Sequence, residues 1–172
     1  MGYSGNVLLA YARQVIAGQL SGRPRPAPPE ELGAAPALGC FVSLKTSRGK
    51  LRGCMGTLAP TRATLAEELA ENALAAALRD PRFESLDLDE LEDMRFSIDL
   101  LSAPENVSGP EELDPARYGL IVSCGSRCGV LLPDIPGVNS VERQIDICRE
   151  KAGIEAAEEV GLQRFTVERF SE

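Results

Sequence analysis

Histidine is absent from all 172 residues, tryptophan is absent too, and aromatic residues make up only 5% of the chain. The missing imidazole excludes Ser-His-Asp and Cys-His catalysis, histidine-based zinc or iron sites, and the usual general base near neutral pH. No apolar run approaches the length of a transmembrane helix, so a membrane-spanning class is not expected. Positive charge is in deficit. Eighteen Lys and Arg stand against 26 Asp and Glu, and a formal charge of −8 repels phosphate backbones and anionic lipid, so neither nucleic acid nor a membrane surface is an expected partner. The opening Met1-Gly2-Tyr3-Ser4-Gly5-Asn6 lacks the basic region of a signal peptide, which points to the cytoplasm. Five cysteines (Cys40, Cys54, Cys124, Cys128, Cys148) are odd in number and scattered, so reduced thiols are expected rather than a disulfide framework.

What is present is ordinary globular material, with 44% hydrophobic and 26% charged residues. At this length one sizeable core forms, burying roughly 70% of the unfolded surface, and one domain of one or two lobes follows.

Leu8, Leu9, Tyr11, Ala12, Val15, Ile16 and Leu20 recur at helical spacing after a cap at Ser4 or Asn6, which predicts an amphipathic helix over 5–20. Pro24, Pro26, Pro28, Pro29 and Pro36 then resist both helix and ladder, so this stretch reads as an extended surface strap docking the first helix. Residues 1–37 are therefore assigned as docking helix and strap of the same unit, and 38–172 as the main domain. Strands are expected over 38–44 and, after a Ser47-Arg48-Gly49 turn, in a second run that leads into the glycine-flanked Cys54. Thr64 and Glu67 match a capping box that opens an alanine-rich helix reaching about Arg79, with Asn72 on its buried side and in need of a hydrogen-bond partner. Asp80-Pro81 ends it. Residues 94–100 alternate as a half-buried strand, and a strand pair over 118–123 and 129–132 turns at Gly125-Ser126-Arg127. A helix from Asn139 or Ser140 stops at Gly153, and a last strand covers 164–170. Hairpins plus separate helices favour α+β, with a largely antiparallel sheet and three or more helices.

The densest chemistry lies in Leu51-Arg52-Gly53-Cys54-Met55-Gly56-Thr57, read as a tight segment directly after a strand. Either it is a packing corner, or its amides, guanidinium and sulfur converge on a small anionic or carbonyl ligand. Arg52 offers a planar fork to carboxylate or phosphate, its alternative being a surface ion pair. Cys54 is a candidate nucleophile or thiol ligand, its alternative being an inert buried thiol. Asp80-Pro81-Arg82-Phe83 places opposite charges at a helix exit, either lining the same site or simply stopping the helix with Phe83 in the core. Cys124 and Cys128 form a C-x3-C pair without a second pair or any histidine, so no metal is expected.

Together these segments resemble the AMMECR-one domain family, specifically its bacterial branch known as AmmeMemoRadiSam system protein A. The heptapeptide looks like that family's LRGCIGT signature with Met55 in place of isoleucine. Asn72-Ala73, Asp80-Pro81-Arg82-Phe83, Gly119-Leu120-Ile121-Val122, Arg127 before the Gly129–Asp134 run, and Glu142-Arg143-Gln144 leading to Lys151-Ala152-Gly153 extend the match over about 38–170. The resemblance implies two lobes around a cleft carrying the signature, no settled activity, and Memo-like and radical SAM proteins as partners; no cofactor is expected. The expected function is that of an accessory component that binds a small anionic ligand or partner segment. Arg52, Gly53, Gly56, Asn72, Asp80, Arg82 and Arg127 would line that site. The alternative is an enzyme with Cys54 as nucleophile and Arg52 as anion clamp.

Overall fold

A computed structural model describes residues 3–172. The chain is α+β and forms two compact units, one from the chain up to Leu101 together with Glu168–Glu172, the other from Ser102–Val167.

In the first unit, helix α1 (Gly5–Leu20) is followed by the proline-rich strap, strand β1 (Cys40–Thr46), strand β2 (Leu51–Thr57), helix α3 (Leu65–Leu78) and strand β3 (Met94–Leu101). The strap is more than an extended connection. It contains a short helix α2 (Glu30–Gly33) whose Leu32 is fully buried in the core, because one apolar side chain among prolines still gains by leaving water. β1 and β2 pair antiparallel around a turn in which Gly49 takes φ +80°, a conformation that favours glycine. With β8 (Val167–Ser171) the sheet runs β2-β1-β3-β8, with β2 at one edge. Cys40, Val42 and Leu44 of β1 lie in register with Leu100, Ile98 and Phe96 of β3, and all six are buried on the face that meets α1 and α3. α3 starts on the predicted capping box, with Thr64 and Glu67 bonding reciprocally.

The residues predicted as one last strand are two. β7 (Gly161–Phe165) belongs to the second sheet and β8 (Val167–Ser171) to the first. Thr166 interrupts them, its N–H donating to Ser102 Oγ and its carbonyl accepting from Ser102 N–H. Alternation continues smoothly through this point, so hydrophobic period alone carries no mark of the change of partner. The final residue is tied down: Glu172 pairs with Arg13 of α1 at 2.8 Å and accepts from Phe96 N–H.

The second unit has the antiparallel sheet β4-β7-β5-β6, from β4 (Glu105–Asn106), β5 (Gly119–Cys124), β6 (Arg127–Leu131) and β7, with helix α4 (Val141–Ala152) packed on β5 and β6. α4 is capped by Ser140 and closed by Gly153 at φ +62°. Leu120, Val122, Leu131, Cys148 and Ile154 are buried at its core. Among the described residues, no helix is long and apolar enough to cross a membrane.

Candidate functional site

The signature heptapeptide is an edge strand, not a turn: all seven residues form β2. Its glycines act through close approach rather than through unusual backbone angles. A Cβ on Gly53 would sit 2.0 Å from the Ala76 carbonyl oxygen of α3, so the helix lies directly on the strand, helped by the buried alanines Ala66, Ala70, Ala73, Ala76 and Ala77. A Cβ on Gly56 would meet the Phe41 ring at 2.4 Å, since that ring covers the glycine from the neighbouring strand.

Strand alternation then sends Arg52 and Cys54 to the face of the sheet opposite α3. Cys54 pairs with Ser43, which pairs on its other side with Ser97, making a rung of one thiol and two hydroxyls. Ser43 Oγ donates to Cys54 Sγ at 3.1 Å, and the thiol is half-buried. The next rung holds Lys45 opposite Arg95, both exposed.

The DPRF segment braces the outer edge of β2. Asp80 Oδ2 accepts from Cys54 N–H at 2.9 Å, and Arg82 donates to the Cys54 carbonyl at 3.1 Å. Asp80 and Arg82 close this brace with a forked pair at 2.9 and 2.7 Å. The Asp80 side chain is buried, and hydrogen bonding from Arg82 holds its carboxyl well below the ordinary range. Phe83 is half-buried beneath the Arg82 guanidinium.

Arg52 is not an open anion clamp. Its Nε and Nη2 fork onto the Glu90 carboxylate at 3.0 and 2.9 Å, and Nη1 donates to the Glu84 carbonyl at 2.8 Å, which pins the segment after DPRF. The Arg52 bonds in turn hold Glu90 below the usual carboxylate range.

Asn72 is buried on α3 and donates to the Cys40 carbonyl and to Thr57 Oγ1, each at 3.1 Å, so it joins the helix to β1 and β2. Beside it lies Glu68, which sequence reading missed. Burial opposes its ionisation, yet bonds from Thr57, from the Thr61 and Arg62 amides and from the Thr61 hydroxyl outweigh that and hold its carboxyl low. The signal was available, because Glu68 precedes Asn72 by four residues and shares its helix face. Burial pushes the Cys40 thiol up to about 12, with Asn72 working the other way.

Arg127 belongs to the second unit, where it pairs with Glu158 and donates to the Gly153 carbonyl at the end of α4. The bond from Arg127, with one from the Glu155 amide, brings Glu158 down to about 2. Cys124 lies opposite Arg127 in the β5–β6 ladder, and Cys128 lies opposite Ser123 one rung away. Alternation therefore puts the two thiols of the C-x3-C pair on opposite faces of the hairpin. Among the described residues, no group of three or more His, Cys, Asp or Glu is placed to hold a metal ion.

The molecule is thus an α+β protein with two four-stranded antiparallel sheets and a glycine-packed edge strand braced by a buried Asp–Arg pair. It belongs to the AMMECR1 family, whose pattern it matches over residues 9–171. A protein of Thermotoga maritima is 52% identical over 143 residues, covering 83% of this chain and 82% of that one. One of Clostridium acetobutylicum is 48% identical over 134 residues, covering 78% of this chain and 28% of that longer protein. The fold is similar to the crystal structure of an uncharacterised protein from Pyrococcus horikoshii, with a TM-score of 0.85, 29% identity, and coverage of 98% and 91% of the two chains.

Proposed function

We propose that this chain is a binding protein, accessory to Memo-like and radical SAM proteins in the cytoplasm, and that it holds an anionic ligand or partner segment on the face of the first sheet around Cys54. The observation that carries this reading is the division of labour in the site. Arg52, Asp80, Arg82 and Asn72 are occupied by internal bonds, while Ser43, Cys54, Lys45 and Arg95 line one polar surface. Lys45 and Arg95 stand directly opposite each other, an arrangement of like charges that an anion relieves. The brace on Cys54 also disfavours a partner that adds a strand to this edge, so recognition falls to the face. Co-purification with the two partner proteins is the test. The double variant Lys45→Glu, Arg95→Glu should lose capture by more than about tenfold while keeping its melting temperature. Unchanged capture sinks the reading.

The Ser43 hydroxyl aimed at Cys54 sulfur supports a second reading, in which the thiol is a nucleophile. That reading prevails if Cys54→Ala abolishes cellular function while partner capture persists.

A further inference from the structure

The second unit holds a hollow of about 320 Å³, at the small end of ligand pockets, lined by Ser102, Glu105, Arg117, Tyr118, Arg164 and Thr166. Two guanidiniums lie over the Tyr118 ring in it, Arg117 at 5.0 Å and Arg164 at 4.6 Å from the ring centre. An aromatic ring attracts and orients a cation, and two cations gathered on one ring repel each other until an anion joins them. The pairing of these arginines is uneven. Arg164 is oriented by a 2.7 Å bond to the Glu112 carbonyl, and its contacts with the largely exposed Glu105 carboxylate are long, at 3.4 and 3.5 Å. Arg117 is exposed and, among the described residues, has no carboxylate partner, in a chain where acids outnumber bases by 26 to 18.

We infer that this hollow is a binding site for a small phosphate monoester. The Arg117 fork, Arg164 and the hydroxyls of Thr166 and Tyr118 supply more donors than the two oxygens of a carboxylate use, and a phosphate dianion matches two guanidiniums. Glu105 is the one acid in the wall. It accepts from a hydroxyl on the organic part of the ligand, which favours an ester that carries one over free phosphate.

Titration of the full-length 15N-labelled chain with glycerol 3-phosphate, inorganic phosphate and acetate, followed by NMR, tests the assignment. The amides of Arg117, Tyr118 and Thr166 should shift together with glycerol 3-phosphate, and inorganic phosphate should bind more weakly at the same residues. Arg117→Gln should weaken binding by about tenfold or more, and Arg117→Lys should restore only part of it, since a point charge lacks the fork. Arg48→Gln, an exposed cation of the first unit, should leave it unchanged. The inference falls if those amides stay still, if Arg117→Gln and Arg164→Gln both bind within twofold of the parent, or if acetate binds as well as glycerol 3-phosphate.

Discussion

A single carboxylate decides how the signature strand is held. Asp80 is buried and bonds both Arg82 and the Cys54 amide, so its ionised form is favoured in the folded chain over the unfolded one. A carboxyl with a lowered folded value contributes stability that is complete above its unfolded value of about 4 and drains away as pH falls below it. Glu68 and Glu90 act in the same sense. The acid limb of the stability curve should therefore be steep in the parent and shallower in Asp80→Asn, measured by urea unfolding from pH 7 downward. Parallel limbs would remove Asp80 from this role. Glycines divide equally sharply at this scale. Gly53→Ala forces a methyl into the Ala76 carbonyl, a backbone atom that cannot swing aside, and should cost roughly 3 kcal/mol. Gly49→Ala meets open space and only the strain of φ +80°, so about 1 kcal/mol is expected. Equal losses in the two variants would refute the close-approach account.

At the level of elements, both sheets protect an edge strand in the same way. Asp80 and Arg82 satisfy the outward N–H and C=O of Cys54 on β2, and Lys151 of α4 donates to the Val130 carbonyl of β6 at 3.0 Å. Each of these strands also takes a helix backbone against a glycine, Gly53 under Ala76 and Gly129 under Cys148. Unguarded edges recruit other chains. The double variant Asp80→Ala, Arg82→Ala should consequently self-associate at concentrations where the parent does not, as light scattering reads directly. A variant with parent-like scattering would mean that α3 and its loop suffice to cover the edge. Glycines flanking Cys54 read locally as a tight corner, whereas here Gly53 answers the demand of a helix fourteen residues long lying on the strand. That demand comes from another element and leaves no local trace.

Across the molecule the apolar core is unevenly shared. The buried cluster of the first unit takes in α1, α3 and the core faces of β1 and β3, whereas that of the second comprises Leu113, Leu120, Val122, Leu131, Cys148 and Ile154. Local opening free energy follows buried apolar contact. Hydrogen exchange should therefore show the amides of β5 and α4 opening at lower free energy than those of β1, β3 and α3. Identical protection in the two sets would instead indicate one cooperative body. The core of α1, the Thr64–Glu67 box, the Ser140 cap and the Gly153 stop were all legible beforehand, because each rests on residues within one or two helical turns of each other. Of the site, one of the two readings open for the DPRF segment puts it beside the heptapeptide, and the two do meet. The partner of Arg52 was not foreseen, since Glu90 lies 38 residues further on in an acidic stretch that reads as solvated.

The amino-acid order alone determined the α+β class, most element boundaries and the family, since periodicity, capping and short motifs act over distances shorter than a helix. Only the tertiary structure decided that the heptapeptide is an edge strand, that Arg52 and Asp80 are occupied within the fold, and that one terminal run serves two sheets. Those outcomes depend on which distant backbone comes within a few ångströms, and such proximity is set by the packing of whole elements rather than by any residue's neighbours in the chain.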